Sequence, residues 1–421
     1  MPTRRGYVLL AASLFLYGLA RASGIDEAYA LSAAAFMFPV AAIVFVRLRR
    51  ADLRFERTLH PSRVFAGRDV RIRLTVGNVR ARTGPPLVLE DDAPAILGGM
   101  IRYAVPPISA RDETILTVER CAAARGRYPI GPLRARLVDP FGLASTVRDV
   151  APAAPLLVYP RVEILSEDAP PEARGGGGRS VIHRLAVAGD DFYGVRGWQD
   201  GDDLRKIHWR STARRGELMI RQDEVWPFPR ATIFVDTRVV AHREFGRTSS
   251  FEWAMSAAAS MVWELARQGF ALRLATATAT PSGARWGREA VDPLLTSLAV
   301  CERSGSRSLL GSIRNVSSGP GAGGALIAVL PPPAPEEIAA FAHARGPYEW
   351  RGAMLLDPMS FRNATPRERA VADQRLAESE RMLARSGWHV TIASASDTVR
   401  NVWQSLLGAG VRRPSSPSLR S

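Results

Sequence analysis

The chain has 421 residues, enough for two or three domains that each bury a core without disulfides or metals. Apolar residues make up 46% and charged residues 23%, which excludes wholesale disorder, and Cys121 and Cys301 lie far apart without metal-ligand neighbours, which argues against a disulfide framework or zinc site. The formal net charge is +15, but the basic residues are interleaved with acidic and apolar ones, so we expect no nucleic-acid binding.

The N-terminus carries two uncharged segments separated by a short polar loop. They run from Gly6 to Ala20 and from Ala28 to Val46. The length of the second is close to that needed to cross a hydrocarbon core, about 20 residues. Arginines flank the pair and the loop is acidic, so the positive-inside rule places both ends in the cytoplasm. We predict two transmembrane helices over residues 1–50. Two alternatives stay open: the first segment is also the length of a signal-peptide core, and both could be buried core helices.

Residues 51–165 alternate between apolar and polar residues, as half-buried strands do. The clearest alternation has the apolar positions Val70, Ile72, Leu74 and Val76. Short strands between Gly/Pro turns predict an antiparallel, immunoglobulin-like β-sandwich. The stretches ARGRYPIGP and VDPFGL have the composition of connecting turns.

Residues 166–230 form the next region, which opens with the stretch SEDAPPEARGGGGRS, a composition typical of a linker. Residues 231–410 then alternate between apolar strands and amphipathic helices, an order that predicts a parallel, doubly wound α/β sheet. The predicted strands are ATIFVDT (231–237), ALRLATAT (271–278), GALIAVL (324–330), AMLLD (353–357) and WHVTIAS (388–394). The last residues, 411–421, are predicted to be a disordered tail.

Two long helices are predicted in this α/β region, from about Ser250 to Gln268 and from Thr365 to Ser386. Each helix start has a capping-box pattern: Ser249 with Glu252 in the first helix, and Thr365 with Glu368 in the second. Glycines follow both helices, as is common at helix C-termini. The ends therefore support the assignment that the apolar periodicity indicates.

Ligands of doubly wound sheets bind beyond the carboxyl ends of the strands, so Asp236, at the end of the first strand, is a candidate site. An aspartate there, with hydroxyl residues at the second and fourth positions onward, would be the metal-ion-dependent adhesion site of a von Willebrand A domain. Arg238 and Val240 occupy those positions instead, and Arg238 adds positive charge where a cation needs oxygen donors. We therefore predict a degenerate site that binds no metal, and no cofactor.

The stretch GWQDGDDLRKIHWRSTARRGELMIRQDE, residues 197–224, contains six acidic and six basic residues. Its candidate binding residues are Asp202, Asp203, Arg205, His208, Trp209, Arg214 and Glu217. The acids and the histidine could form a metal or acid/base site, as in hydrolases and nucleases. The spacing matches no metal-ligand signature, however, and each acid has an arginine within reach.

A structural interpretation of this stretch is better supported. Gly201-Asp202-Asp203 has the composition of a turn whose carboxylates cap the following segment, Leu204 to Arg210. Arginines would clamp the carboxylates, Trp198 and Trp209 would supply apolar area, and His208 would be a hydrogen-bonded interior or groove histidine. We predict a signature motif for structure or partner binding, with no catalytic residue.

The motif resembles the hallmark of the domain of unknown function 58 family. The matching residues are GDDLR (201–205), IHW (207–209), STAR (211–214) and Glu217-Leu218, with the upstream GDDFYGVRGW, RGRYPIGP and DPFGL. With the N-terminal apolar pair, the likeness covers nearly the whole chain. It implies a protein anchored in the bacterial inner membrane, mostly cytoplasmic, with a von Willebrand A-like domain and a MoxR-type AAA+ ATPase as partner.

Three functional hypotheses follow. The first is a membrane-anchored, non-enzymatic adaptor or scaffold that works with that ATPase in assembly or envelope processes. The second is a hydrolase or nuclease that uses Asp202, Asp203, His208 and Glu217. The third is an electrostatic binder of anionic lipid or nucleic acid. Ion-paired carboxylates would favour the first hypothesis, whereas unneutralised carboxylates in a cleft would favour the second.

Overall fold

The structure is a computed structural model that describes residues 1–48, 53–166, 194–199, 207–222, 229–242, 244–277, 285–317, 322–343 and 348–408. The chain divides into two compact units, Met1–Tyr159 and Pro160–Ser421. The predicted tail and the glycine-rich part of the predicted linker lie outside the described residues.

The first unit begins with two helices, α1 (Arg4–Ser23) and α2 (Asp26–Leu48), which are both long and apolar enough to cross a membrane. Their mean hydropathies are 1.3 and 2.1. They pack as a hairpin, in which the Ser32 hydroxyl donates to the Ser13 carbonyl at 2.8 Å. Only 17% of the apolar stretch of α1 and 22% of that of α2 is buried inside the protein. Such low burial argues against two core helices of a soluble protein.

Antiparallel strands follow, as the alternation of apolar residues predicts. They are β1 (Leu53–His60), β2 (Arg63–Phe65), β3 (Asp69–Asn78), β4 (Leu87–Asp91), β5 (Ile101–Val105), β6 (Glu113–Cys121), β7 (Gly126–Ile130), β8 (Leu133–Val138), β9 (Ser145–Ala151) and β10 (Ala154–Tyr159). The sheets have the orders β1-β3-β6, β5-β4-β8-β9 and β2-β10-β7, and only β2 and β10 pair in parallel. One apolar core, which includes Ile72, Leu89 and Leu156, joins all three sheets.

The two predicted turns of this unit have different outcomes. VDPFGL is a turn, since the Gly142 amide donates to the Asp139 carbonyl at 3.0 Å. ARGRYPIGP was expected to be a connector, and that expectation is wrong because it contains β7. The strand pairs with β10 on one edge, and its last residue, Ile130, is fully buried in the core. Pairing and burial outweigh the turn propensity of its glycines and prolines.

The second unit contains a small hairpin and a larger α/β sheet. The hairpin strands are β11 (Gly194–Gly197) and β12 (Met219–Gln222), with α3 (Trp209–Arg215) between them. The sheet strands are β13 (Arg230–Val235), β14 (Ala271–Thr276), β15 (Arg285–Trp286), β16 (Gly324–Leu330), β17 (Tyr348–Leu356) and β18 (His389–Ala393). The helices around it are α4 (Ser250–Arg267), α5 (Arg288–Ala299), α6 (Leu310–Ser317), α7 (Pro335–Ala342), α8 (Pro366–Arg385) and α9 (Val399–Gly408).

The larger sheet has the strand order β15-β14-β13-β16-β17-β18, and all neighbours are parallel except β14 and β15. Every residue of β13, β14 and β16 is buried, as expected for strands that helices cover on both faces. Helices α4 and α5 contact β13 and β14, whereas α6, α7 and α8 share a core with Phe234, Leu326 and Leu330.

Both predicted helix starts are confirmed. Ser249 accepts a hydrogen bond from the Glu252 amide at the start of α4, and Thr365 and Glu368 form a complete capping box on α8. Helices α5, α6, α7 and α9 were not predicted from the sequence. Chain order reverses between β13 and β16, so the carboxyl ends of these two strands form the switch point of the sheet, where ligands of such folds bind.

Candidate functional site

The candidate site lies at the carboxyl edge of the α/β sheet, directly after β13. Asp236 follows the last residue of the strand, and its amide donates to the Val329 carbonyl of β16 at 3.0 Å. The chain then runs beside Ser304, whose carbonyl accepts the Val239 amide at 2.8 Å and whose amide donates to Thr237 at 2.7 Å. Backbone hydrogen bonds before and after Arg238 therefore fix its position.

Arg238 forms a bidentate ion pair with Asp236. Its Nε is 3.0 Å from Asp236 Oδ1, and its Nη2 is 2.9 Å from Oδ2. The side chain of Asp236 is fully buried and that of Arg238 is only 4% exposed. Water is therefore excluded from a pair of opposite charges, and two parallel hydrogen bonds fix its geometry.

A second carboxylate, Glu337 near the start of α7, completes the cluster. Arg238 Nη1 donates to Glu337 Oε1 at 2.8 Å and to Oε2 at 3.0 Å, and also to the Arg307 carbonyl at 3.2 Å. Oε1 further accepts the Leu309 amide at 2.9 Å. Burial alone would lower the pKa of Arg238, but hydrogen bonds and charges from Asp236 and Glu337 outweigh burial and raise that pKa. We call Asp236, Arg238 and Glu337 the buried charge cluster.

His242 lies against the same strand end in the neutral form. Its Nε2 donates to the Asp236 carbonyl at 2.7 Å, which leaves Nδ1 to accept from the Ser250 hydroxyl at 2.6 Å. The side chain is fully buried, and this burial lowers the pKa of His242 despite the opposing effects of Asp236 and Glu244. The imidazole therefore ties the loop after β13 to the N-terminus of α4.

An open cleft of about 420 Å³ lies at the same carboxyl edge of the sheet. Its walls come from the loops after β13, β16 and β17 and from one face of α8. Its lining residues include Val240, Glu244, Arg362, Arg367, Glu368, Val371 and Arg375. The cleft thus occupies the position where doubly wound sheets bind ligands.

The two carboxylates of this cleft are already engaged. Glu244 accepts the Ser250 amide at 2.8 Å, while Glu368 belongs to the α8 capping box and pairs with Arg362 at 3.2 Å. In the described part of the chain, Arg367 and Arg375 have no ion pair. They are two turns apart on α8 with Val371, 50% exposed, between them, so the cleft wall is basic with an apolar centre.

Of the stretch 197–224, residues 197–199 and 207–222 are described, whereas Asp202, Asp203 and Arg205 lie outside the described residues. Ile207 bridges Ile220 of β12, and the His208 amide donates to the Met219 carbonyl at 2.8 Å. The segment before α3 is thus held against the hairpin.

The helix in this motif, α3, runs from Trp209 to Arg215, and His208 is its N-cap. The predicted capping of the segment Leu204 to Arg210 by Asp202 and Asp203 involves residues outside the described ones. The His208 ring Nδ1 accepts the Ser211 amide at 3.2 Å and lies 2.8 Å from the Ser211 hydroxyl. His208 is therefore hydrogen-bonded and partly buried, as a capping residue needs to be.

The remaining predicted binding residues lie on the surface. Trp209 was expected to supply apolar packing area, but it is the first residue of α3 and is 69% exposed. Arg214 and Glu217 are also exposed. Within the described ranges neither of them has an ion pair, and no group of three or more His, Cys, Asp or Glu side chains could hold a metal.

One segment of the chain matches a family model. The family described as "protein of unknown function DUF58" matches residues 194–318, from the start of β11 to just beyond α6. The matched segment includes the signature motif and Asp236, so it confirms the resemblance for that part of the chain. No curated protein sequence matches the chain.

Solved structures show only distant likenesses. The CARDB domain of a Pyrococcus furiosus protein in complex with di-metal ions is 16% identical, covers 25% of this chain and 87% of its own, and has a TM-score of 0.20. Alkylpurine DNA glycosylase AlkC from Pseudomonas fluorescens, bound to DNA containing an abasic site analog, is 9% identical over 32% of this chain and 39% of its own, with a TM-score of 0.19. Similarity at this level carries no argument about function.

Proposed function

We propose that this protein is a membrane-anchored, cytoplasm-facing adaptor or scaffold without enzymatic activity, which works with a MoxR-type AAA+ ATPase in assembly or envelope-related processes. The observation that supports it is the buried charge cluster. Asp236, the residue best placed to hold a metal or act on a ligand, has both oxygens engaged by Arg238 and is fully buried. A guanidinium thus occupies the place of a catalytic or adhesive cation.

We assign the α/β unit to the von Willebrand A-like class. Three features support the assignment: the strand order of the sheet, the short antiparallel strand β15 at its edge, and an aspartate directly after β13. The unit would then keep the ligand-facing edge of an A domain while using side chains rather than a metal for recognition. The cleft at this edge, with its basic wall on α8, supplies such side chains.

The membrane anchor in this proposal is the pair α1 and α2. Arg4 and Arg5 lie at the start of α1, Arg47 lies at the end of α2, and the turn between the helices is followed by Asp26 and Glu27. Cytoplasmic loops are enriched in Arg and Lys, so this asymmetry favours a cytoplasmic location for both flanks.

Affinity purification of the full chain in detergent, with and without ATP, tests the adaptor role. A MoxR-type ATPase identified by mass spectrometry should co-purify, and the ratio of ATPase to bait should change with nucleotide. A matched bait with Trp209→Ala examines the signature motif, because Trp209 is exposed and its loss leaves the core intact. Hydrolase or nuclease activity that is abolished by Glu217→Ala without loss of folding would instead support the enzyme hypothesis.

A further inference from the structure

The turn between β8 and β9 of the first unit packs along the ends of α1 and α2. The Thr3 amide donates to the Leu143 carbonyl at 2.8 Å, and the N-terminal amine donates to the Ser145 carbonyl at 2.7 Å. Leu137 and Ala144 form an apolar cluster with Ala42 and Val46 of α2, with further contributions from Ile43, Phe45 and Leu143. We call residues 138–144 the DPFG turn.

The depth of this turn follows from the helix it contacts. The uncharged segment of α2 ends at Val46. A hydrocarbon core of about 30 Å needs about 20 helical residues at 1.5 Å each, so the whole segment from Ala28 to Val46 is needed to cross it. Phe38 lies eight residues before Val46, or about 12 Å further along the axis. The Phe141 ring packs edge-on against Phe38, with 6.1 Å between centroids.

We propose that the DPFG turn is inserted in the bilayer beside α1 and α2, with Phe141 in contact with lipid acyl chains. This inference rests on the proposed membrane anchoring. If α2 spans the membrane, a ring in contact with Phe38 lies below the headgroups. The Phe141 side chain is 67% exposed within the protein, so its outer face is available to the acyl chains.

Several polar groups of the turn are paired within the protein. The buried Asp139 carboxylate accepts the Phe141 amide at 2.9 Å and also the Ala144 amide, while the Gly142 amide donates to the Asp139 carbonyl. Pro140 has no amide hydrogen, and the Thr3 hydroxyl donates to the Gly142 carbonyl at 2.5 Å. Each such pair lowers the cost of placing the turn in hydrocarbon, because an unpaired backbone group there costs several kcal/mol.

Depth-dependent fluorescence quenching on the full chain tests this inference. In a Cys121→Ser, Cys301→Ser background, single cysteines at Phe141→Cys, Phe36→Cys and Ile115→Cys are labelled with an environment-sensitive dye. The labelled proteins are reconstituted in phosphatidylcholine and phosphatidylglycerol vesicles. Phe36 is 53% exposed on α2 near Phe38, and Ile115 is 55% exposed on β6 of the sandwich, so the three sites have matched exposure.

We expect the dye at position 141 to be quenched by nitroxide placed deep in the acyl chains and protected from aqueous iodide, as at position 36 and unlike position 115. If the dye at position 36 is quenched by the deep nitroxide but the dye at position 141 is quenched by iodide, the membrane anchoring stands and the inference is overturned. If position 36 is also open to iodide, the membrane anchoring fails and the inference fails with it.

Discussion

Arg238 and Asp236 are two residues apart, and the Arg238 guanidinium donates to both carboxylate oxygens of Asp236 at 3.0 and 2.9 Å. Arg238 also bridges to Glu337, which is 99 positions away in the sequence, at 2.8 Å. A single side chain therefore neutralises the aspartate at the strand end and attaches α7 to the loop after β13. The positive charge beside Asp236 is therefore the guanidinium of Arg238.

Removal of that cation should destabilise the fold. Arg238→Met retains most of the side-chain volume but leaves two buried carboxylates without their counter-charge, and breaking a buried pair typically costs about 3–5 kcal/mol. The melting temperature of the full chain in detergent should fall clearly, as followed by circular dichroism. Arg247→Met is the control, because Arg247 is exposed, and its melting temperature should be unchanged.

A double substitution measures the coupling directly. Asp236→Asn with Arg238→Met should lose less stability than the sum of the two single changes, since the members of one hydrogen-bonded network are not independent. Additive losses would show that Asp236 and Arg238 contribute separately, which contradicts the bonds described above.

Metal binding should not require Asp236. Both Asp236 oxygens already accept from Arg238, and a positive charge at 2.9 Å opposes a divalent cation, which needs oxygen ligands. Calorimetric titration of the full chain with Mg²⁺ or Mn²⁺ should show no stoichiometric site that Asp236→Ala removes. A tight site in the parent protein that disappears in this variant would reverse the assignment.

Stability should decrease in mild acid because of His242. Burial lowers the pKa of His242 in the folded protein, whereas the unfolded chain has the ordinary value near 6.5. The unfolded state therefore binds a proton first, so this contribution is fully present above about pH 6.5 and is lost as the pH falls toward the folded pKa. Urea midpoints measured between about pH 7 and pH 5 should decline less in His242→Asn than in the parent. An equal decline would assign the acid sensitivity to other groups.

The apolar patterns of this sequence predict much of the architecture. The strand at 324–330 is observed as predicted, and the capping boxes place the starts of α4 and α8, because these features depend on neighbours within a few residues. The short helices α5, α6, α7 and α9 were missed. Their 8 to 12 residues give a weaker periodic signal than the 18 and 20 residues of α4 and α8.

The candidate site was only half predictable. Asp236 and Arg238 stand out locally, since an acid at a strand end followed by an arginine predicts a degenerate site. Glu337 and His242 gave no such signal, because their roles depend on how α7 and the loop after β13 fold back toward the strand end. The cleft wall on α8 was likewise invisible, as exposed arginines at helical spacing are typical of any solvated helix face.

Membrane topology can be measured independently of function. We expect a cytoplasmic C-terminus, so a fluorescent protein fused after Gly408 should fluoresce and a phosphatase active only outside the cytoplasm should stay inactive there. The reverse result is expected for fusions at Gly24, between α1 and α2. An active phosphatase at the C-terminal position would contradict the cytoplasmic orientation and with it the proposed access to an AAA+ ATPase.

Charge reversal on α8 should weaken partner binding without unfolding the protein. Arg367 and Arg375 are exposed, line the cleft and have no ion pair in the described residues, so Arg367→Glu with Arg375→Glu should leave the melting temperature nearly unchanged. Surface substitutions of this kind usually alter stability by less than about 0.5 kcal/mol. Capture of the ATPase should fall, because two attractive charges beside the exposed Val371 become repulsive for an acidic surface.

The same reversal at Arg381, which lies on α8 outside the cleft, is the matched control. Equal capture by all three baits would remove the cleft from the binding surface, and equal losses in both variants would indicate only a general effect of charge.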